Sequence, residues 1–250
     1  MNSNIIKAKS KLPIEFIQNI YNDFGNKNTE KCLEGMSKKR YTTLRVNKLK
    51  CDNNTIQQYF NEMKIEFEKV QFLDDAYIIK NKNEFDLQKL NIYKEGKIYL
   101  QGLSSMIPVV VLAPREGEKI LDLTAAPGSK TTQIAALTNN KADITANEID
   151  KIRFERLKYN IELQGAAVED VVNSDGVDIY KKYNNYFDKT LIDAPCSGEG
   201  RFITDKKETY SKWSERMKAQ LQKLQKELLK SAILATKPRR NNCIFNMYSK

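Results

Sequence analysis

Two short stretches carry most of the chemistry this sequence can offer. In LIDAPCSGEGRF, Leu191 to Phe202, a carboxylate at Asp193 and a thiol at Cys196 flank an Ala-Pro pair, with two glycines close behind. Cysteine is often buried as a small hydrophobe, but a core cysteine seldom sits between a proline and a Ser-Gly turn. Cys196 therefore reads as a working thiol. The chain has no histidine, which removes Ser-His-Asp and Cys-His nucleophiles and every His-ligated metal. Acid–base work falls to carboxylates, lysine, cysteine or tyrosine. The cysteines, Cys32, Cys51, Cys196 and Cys243, show no CxxC spacing, so neither a metal site nor a disulfide framework is expected.

The second stretch is DLTAAPGSKTTQ, Asp122 to Gln133. A dinucleotide loop would read G-x-G-x-x-G, and only Gly128 is present. A phosphate loop would read G-x-x-x-x-G-K-[ST], and the upstream glycine is missing. S-adenosylmethionine, which has no phosphate, needs only a tight turn at a strand's carboxyl end and a carboxylate closing the next strand for the ribose. Glu148, at the end of ADITANE, stands in that place, although alone it would pass for an exposed residue at a helix start. Asp175 in NSDG ends the third strand, where the adenine edge belongs, and alone would pass for an Asp-Gly turn. Together the three favour S-adenosylmethionine as cofactor.

Alternating elements must bring these residues to one edge. EKILDLT, ADITANEI, VEDVVNSD and YFDKTLIDAP read as strands, and SKTTQIAALT and KIRFERLKYNIELQG as helices, the latter closed by Gly165. A long helix is expected from about 208 to 235, with Trp213, Met217, Leu221, Leu224 and Leu228 on one face. Such alternation argues for an α/β doubly wound, Rossmann-like parallel sheet. Ahead of it lie a helical stretch, 13 to 36, strands in YTTLRVNKLK, KIEFEKV and AYIIKN, and a helix capped near Asp52 or Asn53. This small α+β module is expected to end near residue 95, giving domains 1–95 and 96–238.

Lys and Arg number 42 against 32 Asp and Glu, a net charge of +10. The charge suits either a solvated lysine surface or a polyanionic partner. No apolar run approaches a membrane span and no secretory signal opens the chain, so a cytoplasmic monomer is expected.

Taken in order, LRVNKLK, LQGLSSMIP, DLTAAPGSKTTQ, Glu148, Asp175 and DAPCSGEGRF resemble the Sun-type (NSUN-like) RNA cytosine-C5 methyltransferases, whose bacterial members modify small-subunit ribosomal RNA. The resemblance runs from about residue 13 to Pro238. It implies that Ala125, Ala126, Pro127, Gly128, Ser129, Lys130 and Thr131 hold the methionine side of the cofactor, Glu148 the ribose and Asp175 the adenine. Asp193 would lie by the cofactor and the target base. The front module would extend the RNA surface, with ribosomal RNA as partner and transfer RNA admissible. In that family a thiolate adds to C6 of cytosine so that C5 can take the methyl group, and a second, Pro-Cys thiol assists release. Cys196 matches the releasing thiol.

The attacking thiol, expected in a Thr-Cys-Thr after K-P-G-G, has no match in KPRRNNCIFNMYSK, Lys237 to Lys250. Shifting the codons of 239–250 by one base forces a cysteine from Met247 followed by Tyr248 and permits GGTIVYSTCTL. Residues 239–250 are therefore expected to be an out-of-frame tail, and Cys243 not to be the nucleophile. The sheet is then incomplete on its C-terminal side, its fourth strand an exposed edge, and the chain poorly soluble and without turnover. Two alternatives stand: an enzyme that attacks with Cys196 alone, and a non-catalytic RNA-binding remnant.

Overall fold

The computed structural model describes residues 3–245, with side chains through residue 238. The chain opens with helices α1 (Ser3–Lys11) and α2 (Ile14–Met36). Gly25, at φ +69°, breaks α2 into two arms, a backbone state that glycine adopts without a Cβ penalty. Then come β1 (Thr42–Val46), α3 (Asn53–Glu62), β2 (Phe67–Lys69), β3 (Ala76–Ile79), α4 (Glu84–Gln88), α5 (Asn91–Lys94) and β4 (Ile98–Leu100). Asp52 caps α3 by accepting from the Thr55 amide. The second half alternates α6 (Leu103–Leu112), β5 (Lys119–Asp122), α7 (Ser129–Leu137), β6 (Asp143–Asn147), α8 (Lys151–Gln164), β7 (Asp170–Val172), α9 (Ile179–Lys182) and β8 (Phe187–Asp193). It closes with α10 (Glu215–Ala235) and β9 (Thr236–Phe245).

These elements form two compact units. One holds residues 3–40 and 195–225, the other 41–194 and 226–245. In the first, α1 and both arms of α2 close over Phe202, Tyr210 and Trp213. Phe16 meets Phe202 and Trp213 edge-on at 4.9 and 5.9 Å.

The larger unit contains both sheets. The front sheet is antiparallel, in the order β2-β3-β1-β4, and buries Leu44, Tyr77 and Ile98 with Ile56 and Phe60 of α3. Each such side chain contributes about 1.5–3 kcal/mol. The division differs from one drawn near residue 95. β4 lies past that point, yet it completes the front sheet by pairing Leu100 with Leu44. Arg45 of β1, fully buried, donates to Gln101 Oε1 and to Thr132 Oγ1 on α7, both at 3.2 Å. The front sheet is thus bonded to the helix that follows the candidate cofactor loop. Burial pushes the Arg45 guanidinium down to about 10, with Asp75 opposing.

The second sheet is parallel, in the order β7-β6-β5-β8-β9, as the alternating pattern predicts. Two expectations fail. Trp213 precedes α10, which begins at Glu215, because Ser214 takes the Met217 amide on its hydroxyl as a helix-start acceptor. β8 is also not an exposed edge. β9 continues from α10 and pairs along it, Leu191 with Cys243 and Asp193 with Phe245. Thr236 anchors this strand, bonding Thr190 and the Ala232 carbonyl. The ladder beyond it needs only backbone N–H and C=O groups, so it forms whether or not side chains 239–245 fit the family pattern.

Candidate active site

The carboxyl ends of β5, β6 and β8 present Asp122, Glu148 and Asp193 in the larger unit. The loop after β5 is held from behind. The Ala125 amide donates to the Asn147 carbonyl (2.8 Å), Arg153 donates to the Ala126 carbonyl (2.7 Å) and Asn160 to the Pro127 carbonyl (2.7 Å). Gly128 sits at φ +102°, and a Cβ there would stand 3.1 Å from Leu157 Cδ1 of α8. Only glycine fits that turn. Ser129 to Thr131 then open α7.

Glu148 is 2% exposed rather than an exposed helix-start residue. Its Oε1 accepts from the Asp150 amide at 3.0 Å, and its Oε2 is buried without a hydrogen-bond partner. Arg153 Nη1 stands 3.5 Å from Oε2, close enough for attraction but not a hydrogen bond by geometry. Buried acceptors left unpaired cost about 1–3 kcal/mol, and a ribose hydroxyl is a donor of the kind this one lacks. Asn173 donates to the Glu148 and Ile149 carbonyls, and Ser174 to Asn147, which fixes the strand ends. Asp175 is exposed, and its Oδ1 accepts from the Val177 amide at 3.0 Å. It has the Asp-Gly turn geometry, with its carboxylate turned to its own backbone.

Lys130 joins the candidate Asp193 to Ser105. Its ammonium, on a nearly buried side chain, donates to Asp193 Oδ2 at 2.6 Å and to Ser105 Oγ at 2.9 Å. Thr131 donates to Asp122 Oδ2 at 2.7 Å.

Asp122 was not singled out by sequence reasoning. It is fully buried, its Oδ1 has no partner, and Thr124 Oγ1 beside it in the chain is also unpaired. Burial pushes its carboxyl up to about 6. The Thr131 hydrogen bond and Lys130 oppose that rise, whereas Asp193 and Glu148 add to it. The available signal was its place as the last residue of β5, directly before the turn.

Three buried oxygens without a hydrogen-bond partner, at or just past strand ends, with a backbone turn that only glycine permits, suit a ligand carrying a cation and a ribose. S-adenosylmethionine meets both demands. Among the described residues no group of histidine, cysteine, aspartate or glutamate could hold a metal ion, and no helix is long and apolar enough to cross a membrane.

Cys196 belongs to the smaller unit, three residues beyond Asp193. It is half-buried and in no disulfide. Its loop is tied within that unit. Gln225 donates to the Pro195 carbonyl (2.7 Å), Gly198 turns at φ +74°, and Glu199 Oε1 accepts from Ser197 (2.6 Å) and Trp213 (2.9 Å). The shifted-frame cysteine, at Met247 and Tyr248, lies outside the described residues, and so does the Cys243 side chain.

Comparison with known proteins decides the family. The profile of 16S rRNA methyltransferase RsmB/F matches residues 109–244, and that of the N-terminal domain of 16S rRNA methyltransferase RsmF matches residues 12–102. The chain belongs to the RsmB/F methyltransferase family. The first match runs past Pro238, where the sequence reading had placed the end of the similarity. Ribosomal RNA small subunit methyltransferase F of Shewanella loihica is 33% identical over 201 residues, covering 78% of this chain and 41% of that protein. The 25S rRNA (cytosine-C(5))-methyltransferase nop2 of Schizosaccharomyces pombe is 35% identical over 194 residues, covering 78% of this chain and 32% of that one. The chain thus spans about two fifths or less of the length of these relatives. The crystal structure of PH0851 superposes with a TM-score of 0.88 at 29% identity, over 98% of this chain and 55% of that one.

Proposed function

We propose that this chain carries the cofactor platform and one thiol of an S-adenosylmethionine-dependent transfer of methyl to C5 of cytosine in RNA, ribosomal RNA first. The observation that carries the reading is the buried Glu148 Oε2, which accepts no hydrogen bond, at the end of β6, beside a glycine-only turn at the end of β5. When bound, the cofactor supplies a methyl group on a sulfonium. Residues 125–131 cradle its methionine side with backbone, Glu148 accepts from the ribose, and Asp175 faces the adenine edge. Asp122 and Asp193 bring negative charge toward the cation. Asp193, kept in place by Lys130, takes the polar edge of the target base. Cys196 supplies the releasing thiol, and the basic surface engages the phosphates.

The attacking thiol belongs to the stretch that the one-base shift restores. The nucleotide sequence of codons 239–250 tests that part, and codons that exclude the shifted reading end it. The reaction class is tested on the product of the gene with the one-base shift corrected, incubated with S-adenosylmethionine and [5-³H]cytidine-labelled rRNA fragments; the chain as it stands, without the attacking thiol, should release no tritium. Tritium release, with any transferred methyl found only on cytosine C5, supports the reading. Methyl on another atom overturns it.

A further inference from the structure

The smaller unit contains a cavity of about 100 Å³ that the proposed reaction does not use. Its walls come from both arms of α2, the segment after Cys196 and the first turn of α10. A single water needs roughly 10–15 Å³ on this scale, so the space takes several waters or one planar ring. Phe16, Phe24 and Trp213 make it aromatic, and Phe24 is the exposed one of the three.

One carboxylate interrupts this lining. Glu199 is 7% exposed. Its Oε1 is engaged by Ser197 and Trp213 as described, but its Oε2 is buried with no hydrogen-bond partner. Glu199 thus lines the cavity among aromatic side chains while its Oε2 accepts no hydrogen bond, and Lys218 is also in the lining. Neither Cys196 nor any residue assigned to the cofactor lines it.

We propose that this cavity takes one unpaired, amino-bearing base of the RNA, cytosine or adenine, distinct from the base that is methylated. The ring lies against Phe24 and Trp213, the exocyclic amine donates to Glu199 Oε2, and Lys218 meets the attached phosphate. Unstacked RNA bases are held in this manner, by an aromatic face and a hydrogen bond at the polar edge. Uracil carries a carbonyl where cytosine carries the amine, so its lone pairs would face the carboxylate. The site then selects the sequence next to the target, and it rests on the reading of RNA as substrate.

Trp213 is the only tryptophan of the chain, so its emission reports on this wall alone. Cys32, also in the lining, gives a second readout. The expected result is saturable quenching by CMP and AMP, with UMP about tenfold weaker or more. CMP should also slow alkylation of Cys32 by iodoacetamide, mapped by mass spectrometry. In Glu199→Gln the amide oxygen keeps the Ser197 and Trp213 bonds and the NH2 turns to the cavity, so the preference inverts toward UMP. If that variant does not fold, Cys32 protection in the unaltered chain still decides. Equal responses to all three nucleotides overturn the proposal. So does an RNA fragment shown bound by filter retention that changes neither Trp213 emission nor Cys32 alkylation. Quenching by CMP without any retained RNA would support the base site while removing the RNA reading.

Discussion

The loop after β5 and the loop after β8 end up in different compact units, although both leave the same parallel sheet. The first is fastened by three bonds to its carbonyls and amides from β6 and α8, and by a glycine turn pressed against Leu157. The second passes, between Ala194 and Pro195, into the helical unit, where Gln225, Ser197 and Trp213 hold it. On the proposed reading, a cofactor that must be held in one pose would be served by a loop whose backbone is over-determined. The thiol is carried by side-chain bonds among helices. The difference teaches that cofactor affinity and thiol placement can be damaged separately.

The largest effect is expected at the turn. Gly128→Asp forces a side chain into φ +102° and against Leu157, and S-adenosylhomocysteine binding should fall by at least about 100-fold, read by calorimetry on a sample whose circular dichroism is unchanged. Glu148→Gln should weaken the same binding by about 10- to 100-fold, the loss of a charged acceptor for ribose. Retained affinity would break the cofactor side of the comparison.

Asp122→Asn tests the electrostatics of the platform. The folded carboxyl, at about 6, lies above its unfolded value, so the folded state binds more protons between about 4 and 6. Stability is greatest below that window and falls as pH rises through 6, by about 3 kcal/mol at most. The asparagine variant should lose this dependence in urea melts taken from pH 4 to 7. A smaller change sharpens the other side. Trp213→Phe removes the donor to Glu199 and part of the helical core, and should cost about 1–2 kcal/mol while leaving S-adenosylhomocysteine affinity unaltered.

Much of this was legible because it depends on local chemistry. The strand–helix alternation, the Gly128 turn and the cap at Asp52 follow from period and backbone preference, and they stand in the structure. What was not legible depends on long-range burial. Asp122 looks like an ordinary acid until the sheet closes over it, and Trp213 looked helical because its spacing continued the α10 face. β9 escaped notice because the residues from 239 on were read as out of frame, whereas strand pairing uses the backbone. The division of the chain was also hidden, since residues 195–225 join residues 3–40 from the far end of the sequence.

The central claim is that the ends of β5 and β6 form a site for a sulfonium nucleoside. The most direct measurement is calorimetric titration of the unaltered chain with S-adenosylhomocysteine, beside adenosine and ATP. The account predicts saturable one-to-one heat with S-adenosylhomocysteine and markedly weaker heat with ATP, whose phosphates meet no cradle. A folded sample that gives no heat with S-adenosylhomocysteine, or prefers ATP, would contradict it.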